Sequence, residues 1–245
     1  DLEHRDATFE EIFHLVHDAG IGTWLPGALP DYQTALKAEA IAAIADGRWG
    51  IPVDPDVSDW IAELEAEDSL AQEYIASVID SYYGYWGPFE GSGGMWGVYI
   101  AGDRAEVAAL DPAGLTLLEA FLPNYASYEA RLASDFEGTF QMAFDEALPY
   151  THKSQYLTQV TLTGSKPAHI IGNASDNVLR GNSADNTLDG GDGDDTIDSG
   201  AGDDTIAGQS GNDLIATGTG NDTVLWNGIG NGVDTLVDSA GVQTV

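Results

Sequence analysis

A nine-residue period runs through the last third of the chain. Six consecutive blocks occupy Gly172 to Leu225, and four of them read GGDGDDTID, SGAGDDTIA, GQSGNDLIA and TGTGNDTVL. The eighth position of each block is aliphatic: Leu179, Leu188, Ile197, Ile206, Ile215 and Val224. The sixth holds Asn177, Asn186, Asp195, Asp204, Asp213 and Asp222. Few folds are open to such a chain. A unit this short must stack on its neighbours, because one block cannot bury its apolar residue alone. Glycine accepts positive φ and lets backbone carbonyls approach a cation that no Cβ could accommodate. A flexible Gly/Asp/Asn linker shares this composition but not an aliphatic residue that returns every ninth position.

These blocks resemble G-G-x-G-x-D-x-U-x, the repeat of RTX (hemolysin-type) calcium-binding proteins. The resemblance implies a parallel β-roll in which two successive blocks make one turn and calcium lies between loops two blocks apart. Asp195 would then pair with Asp213, and Asp204 with Asp222, to give at least two Ca2+ ions. Glycines 191, 193, 200, 202, 211, 218 and 220 (Gly191, Gly193, Gly200, Gly202, Gly211, Gly218, Gly220) would line those sites. Pairing Asn177 with Asp195, or Asn186 with Asp204, leaves one carboxylate, and Ser175 and Ala184 replace the fourth-position glycine in the first two blocks. Those blocks read as a capping turn with weaker or no calcium.

Charge points the same way. Asp and Glu number 41 against 8 Lys and Arg, a formal charge of −33, and no basic residue follows Arg180. Such self-repulsion opposes compaction until cations neutralise it, so the roll is expected to be disordered without calcium. No basic stripe is available for nucleic acid. Cysteine is absent, which removes disulfide and thiolate chemistry. No apolar stretch reaches the ~18 residues that span a bilayer, so no transmembrane segment is expected. The chain starts at Asp1 without Met, as a processed product or a fragment would. Proteins with these repeats resemble type I secretion substrates, whose export signal is C-terminal. The tail NGVDTLVDSAGVQTV would be that cap and signal, and the protein would be secreted or at the cell surface.

Residues 1–163 form a second domain in this reading, giving a two-domain α+β fold: a mainly helical N-terminal domain and a C-terminal β-roll over 164–245. The N-terminal part holds five of the six Trp and all the Phe. Helices are expected over Thr8 to Asp18, from Pro30 to about Gly47, from Pro55 in two pieces broken near Asp68, from Pro112 to Phe121, and from Asn124 or Ser127. Gly84 to Gly97 reads as a glycine and aromatic loop. Alternation near Gly138 and in YLTQVTLTG predicts strands that connect the domain to the roll.

The first helix carries the other chemistry. Glu10, His14 and His17 share one stripe at offsets of four and three, and two imidazoles with a carboxylate suit Zn2+. EEIFH also resembles the HExxH helix of zincin peptidases, with Glu11 in the general-base position and His14 as a ligand, although Glu10 stands where that motif has its first histidine. His4, His152, Glu137 or Asp145 could complete the ligand set. An amphipathic helix with a polar face explains the same residues without metal. Two functions follow. The first is a secreted calcium-binding protein whose helical domain serves surface or matrix assembly or adhesion, through self-assembly or cell-surface contact. The alternative is a secreted, zincin-like metal-dependent hydrolase.

Overall fold

The computed structural model describes residues 29–52, 55–89, 91–121, 129–226 and 232–241. Two compact units divide the chain, Asp1–Ala126 and Ser127–Val245.

The first unit is helical. Helix α1 (Pro30–Ala45) starts with proline at a position that needs no N–H, and it buries Tyr32, Leu36, Ala40 and Ala43. Helices α2 (Pro55–Glu67) and α3 (Leu70–Tyr82) are separated at Asp68, whose φ of +60° ends the first helix where the sequence predicts the break. A short α4 (Arg104–Leu110) was not expected. Its signal is the capping box Asp103…Glu106, in which Glu106 N donates to Asp103 Oδ1 (2.8 Å) and Gly102 N to Glu106 Oε2 (2.8 Å). Helix α5 (Pro112–Phe121) begins at the predicted proline. The core centres on Trp49, Tyr74 and Tyr99. At its middle, buried Asp111 accepts hydrogen bonds from Tyr74 Oη (2.7 Å), Tyr99 Oη (2.9 Å), Gly114 N (3.1 Å) and the Arg48 guanidinium. Four donors make this buried charge tolerable, since an unpaired one would be expelled or neutralised.

The second unit is a parallel β-roll. Its strands are β1 (Glu129–Leu132), β2 (Gly138–Gln141), β3 (Gln159–Leu162), β4 (Ala168–Ile171), β5 (Val178–Arg180), β6 (Thr187–Asp192), β7 (Thr196–Asp198), β8 (Thr205–Ser210), β9 (Leu214–Gly220), β10 (Thr223–Leu225) and β11 (Thr235–Gly241). A helical turn, α6 (Thr151–Ser154), lies between β2 and β3. One sheet runs β1-β3-β5-β7-β9-β11 and the other β2-β4-β6-β8-β10. In register, Val160, Leu179, Ile197 and Ile215 stack along the first, and Ile170, Leu188, Ile206 and Val224 along the second. All are essentially inaccessible to water. The eighth-position column is therefore the core of the roll.

The roll extends past the repeats in both directions. Strands β1 to β4 form coils before the first block, so the units divide after Ala126 and not near residue 163. Segment 156–163 contains β3, a strand of the roll and not a connector. Val160 and Ile170 fill the inward column without the G-x-G-x-D turn of the repeats. A coil needs only the ladder and the inward apolar residue; the nonapeptide pattern marks turns, not coils. At the other end, the expected tail contains β11, which pairs with β9 through two register shifts. No helix among the described residues is long and apolar enough to cross a membrane.

Candidate metal centre

Two columns of carboxylates run up the turns of the roll. In the first, Asn177 N donates to Asp195 Oδ1 (2.7 Å), Asp195 N to Asp213 Oδ1 (2.9 Å) and Asp213 N to Asp234 Oδ1 (3.0 Å). In the second, Asn186 N donates to Asp204 Oδ1 (2.7 Å) and Asp204 N to Asp222 Oδ1 (3.0 Å). One oxygen of each carboxylate thus caps the backbone of the preceding coil. The other has no donor: Oδ2 of Asp195, Asp204, Asp213 and Asp222 is buried and unpaired. Ser199 adjoins Asp204 in the same turn, but its hydroxyl donates to Thr217 O (2.7 Å). Four buried anionic oxygens without donors call for protons or a cation.

Glycine lets the spare oxygens approach the turn backbone. A Cβ placed on Gly190 would lie 2.2 Å from Asp195 Oδ2, and one on Gly208 would lie 2.1 Å from Asp213 Oδ2, so the spare oxygens sit against bare backbone. Every predicted turn glycine, from Gly191 to Gly220, has positive φ. Gly211 shows why: at φ +134° its Cβ would sit 2.0 Å from Gly193 O of the coil below. No cluster of three or more His, Asp or Glu side chains able to hold a metal exists among the described residues. A hard cation taking six to eight oxygens here would complete its shell with turn carbonyls, as calcium does. The residues fit calcium: spare carboxylate oxygens from paired coils and glycine turns that expose backbone oxygen.

Residues 171–206 and 189–224 match the RTX calcium-binding nonapeptide repeat, in four copies. The chain carries a calcium-binding RTX β-roll. Neither a curated protein nor a solved structure matches it.

The first RTX turns carry amides in place of carboxylates. Asn177 accepts from Asn173 N through Oδ1 (2.9 Å) and donates through Nδ2 to Asn173 Oδ1 (3.0 Å), so the amide is satisfied without a metal. Asn186 accepts from Asn182 N (2.9 Å). At Asp195, Asp204 and Asp213, where the amide becomes a carboxylate, burial raises the proton affinity. Asp195 is pushed up to about 7, first by desolvation; the Asn177 N–H works against the rise, and the nearby carboxylates Asp213, Asp176 and Asp189 add to it. Desolvation also raises Asp204 and Asp213.

Two features of the RTX roll escape the repeat reading. Asp234 continues the first column although it lies outside the nine-residue frame. Its signal is G-x-G-x-D-x-L from Gly230 to Leu236. The second is an outer ladder at the fifth position, running in the opposite direction: Asp194 N donates to Asp176 Oδ1 (2.9 Å), Asp203 N to Asp185 Oδ1 (2.8 Å), Asn212 N to Asp194 Oδ1 (2.8 Å) and Asn221 N to Asp203 Oδ1 (2.9 Å). The consecutive Asp-Asp and Asn-Asp pairs of the blocks are its trace.

The first-helix residues Glu10, Glu11, His14 and His17, with His4, lie outside the described residues. Of their suggested partners, His152 packs against Phe144 (4.9 Å between ring centroids), Glu137 faces Lys166 (3.8 Å), and Asp145 caps Ala147 N (2.9 Å).

Proposed function

We propose that this RTX roll is disordered until calcium enters its carboxylate columns, that it folds outside the cell, and that the helical unit then makes surface or matrix contacts. The observation that carries the reading is the set of four buried, donorless carboxylate oxygens in two columns. In this reading Asp195 with Asp213 and Asp204 with Asp222 hold calcium, and Asp234 adds a site above Asp213. Binding free energy becomes folding free energy where the site does not pre-exist. The charge of −33 and the absence of cysteine suit export of an unfolded chain into a medium rich in calcium.

Calcium titration of two variants tests the ligand assignment. Asp204→Ala should weaken binding about tenfold or more, as removal of a charged ligand does, while Asn186→Ala should leave the titration nearly unchanged. Equal effects would refute it.

The contact role of the helical unit is supported by Trp96. This side chain is 54% exposed, and its backbone and that of Met95 adopt φ of +53° and +49°, a conformation costing non-glycine residues roughly 1–3 kcal/mol. Beside it, 4.8 Å between ring centroids, lies Trp86, whose buried Nε1 has no acceptor. Trp96→Ala should keep the helical circular dichroism and lower self-association in sedimentation or retention on cell envelopes. Sedimentation and retention both equal to wild type would remove this role.

A further inference from the structure

A groove of about 580 Å³ opens on the roll, lined by Phe144, the turn that follows β4 and the C-terminal ends of β6 and β8. Its size is that of a small-molecule site. Phe144 forms an apolar wall; it is 51% exposed, with its ring braced edge-on by His152. Polar side chains share the groove with it: Gln209 Nε2 donates to Asp189 Oδ2 (2.9 Å), and Asp192 and Ser210 are part of the same lining.

Gln209 is the informative residue. It stands at the second position of its block, where the other calcium-type blocks have Gly191, Gly200 and Gly218, all at positive φ. It keeps that backbone conformation, at φ +74°, so the roll tolerates strain to place a carboxamide there. Strain at one position of an otherwise glycine column points to a role for the side chain.

We infer that this groove binds a neutral saccharide. A half-exposed aromatic ring suits the C–H face of a pyranose, and a hydrogen-bonded Gln–Asp pair offers the donor and acceptor that vicinal hydroxyls require. Among the described residues no cationic side chain lines the groove, and Asp189 and Asp192 repel phosphates and uronates. Because Gly191, Asp192, Gln209 and Ser210 belong to calcium-type blocks, saccharide binding depends on the calcium-loaded roll.

The test uses the full chain saturated with calcium, presented to immobilised neutral oligosaccharides, oligouronates and spermidine, with calorimetry on any hit. A neutral oligosaccharide should bind, and Phe144→Ala should weaken it at least tenfold with an unchanged calcium titration. Gln209→Gly should also weaken it at least tenfold while raising the melting temperature, because glycine relieves the positive φ; a merely structural glutamine would not separate the two readouts this way. Retention of no neutral oligosaccharide, preference for the uronates or the amine, or hits untouched by both variants would overturn the assignment.

Discussion

Chelating calcium at about pH 8 should abolish the β signal of the roll in circular dichroism, and acidifying the metal-free protein to about pH 4 should restore part of it. The reason is that protons and calcium compete for the same donorless oxygens. Asp195 titrates near 7 in the folded roll, and Asp204 and Asp213 are also raised, against about 3.9 for an unfolded aspartate. A group whose folded pKa is raised contributes stability that is fully present below the unfolded pKa and is lost as pH rises through the folded one. For Asp195 that window runs from about 3.9 up to about 7. The metal-free roll therefore weakens across it, and the general repulsion of a chain with 41 acids acts in the same sense. Calcium reverses the slope: binding requires the ionised carboxylates, so affinity falls as pH drops below about 7. A chelated roll with equal β signal at both pH values would show that these carboxylates do not control folding.

Asp213→Asn should change sign with conditions. Asp213 is shared by two rungs, accepting from Asp195 N and donating its own N–H to Asp234. The substitution keeps an oxygen for Asp195 N and removes a buried charge, and Asn177 and Asn186 already stand uncharged at this position in the first coils. Without calcium at about pH 8, the variant should be more stable than wild type by about 1–3 kcal/mol, the cost of an uncompensated buried polar group. With calcium it should be less stable, and affinity should drop about 10- to 100-fold, because one anionic ligand leaves both adjoining sites. Denaturant melts with chelator and with calcium check both signs. A variant destabilised in both conditions would make Asp213 an ordinary structural residue.

Legibility differed between the units for a physical reason. In the helical unit, proline starts and the break at Asp68 were readable because they act on the local backbone. The cluster around Asp111 was not: Arg48, Tyr74, Tyr99 and Asp111 come from separate elements, and nothing in their spacing announces that one carboxylate takes hydrogen bonds from all of them. The groove beside Gln209 was equally hidden, since Phe144 and Gln209 meet only through the stacking of coils.

By itself the sequence determined the roll, its inward column and the positions of its acidic turns. In a solenoid each coil repeats the last, so a residue's position in the block fixes its neighbours above and below. Only the tertiary structure decided where the roll begins and ends. The coils of β1 to β4 are built from inward apolar residues without the nine-residue turn motif, and Asp234 enters its column 21 residues after Asp213 where the other rungs keep 18, an offset that breaks the period. Only the structure, too, divided the two oxygens of each carboxylate into one tied to the preceding coil and one left for a proton or a metal. That division depends on the stacking of successive turns, which the order of residues within a block does not contain.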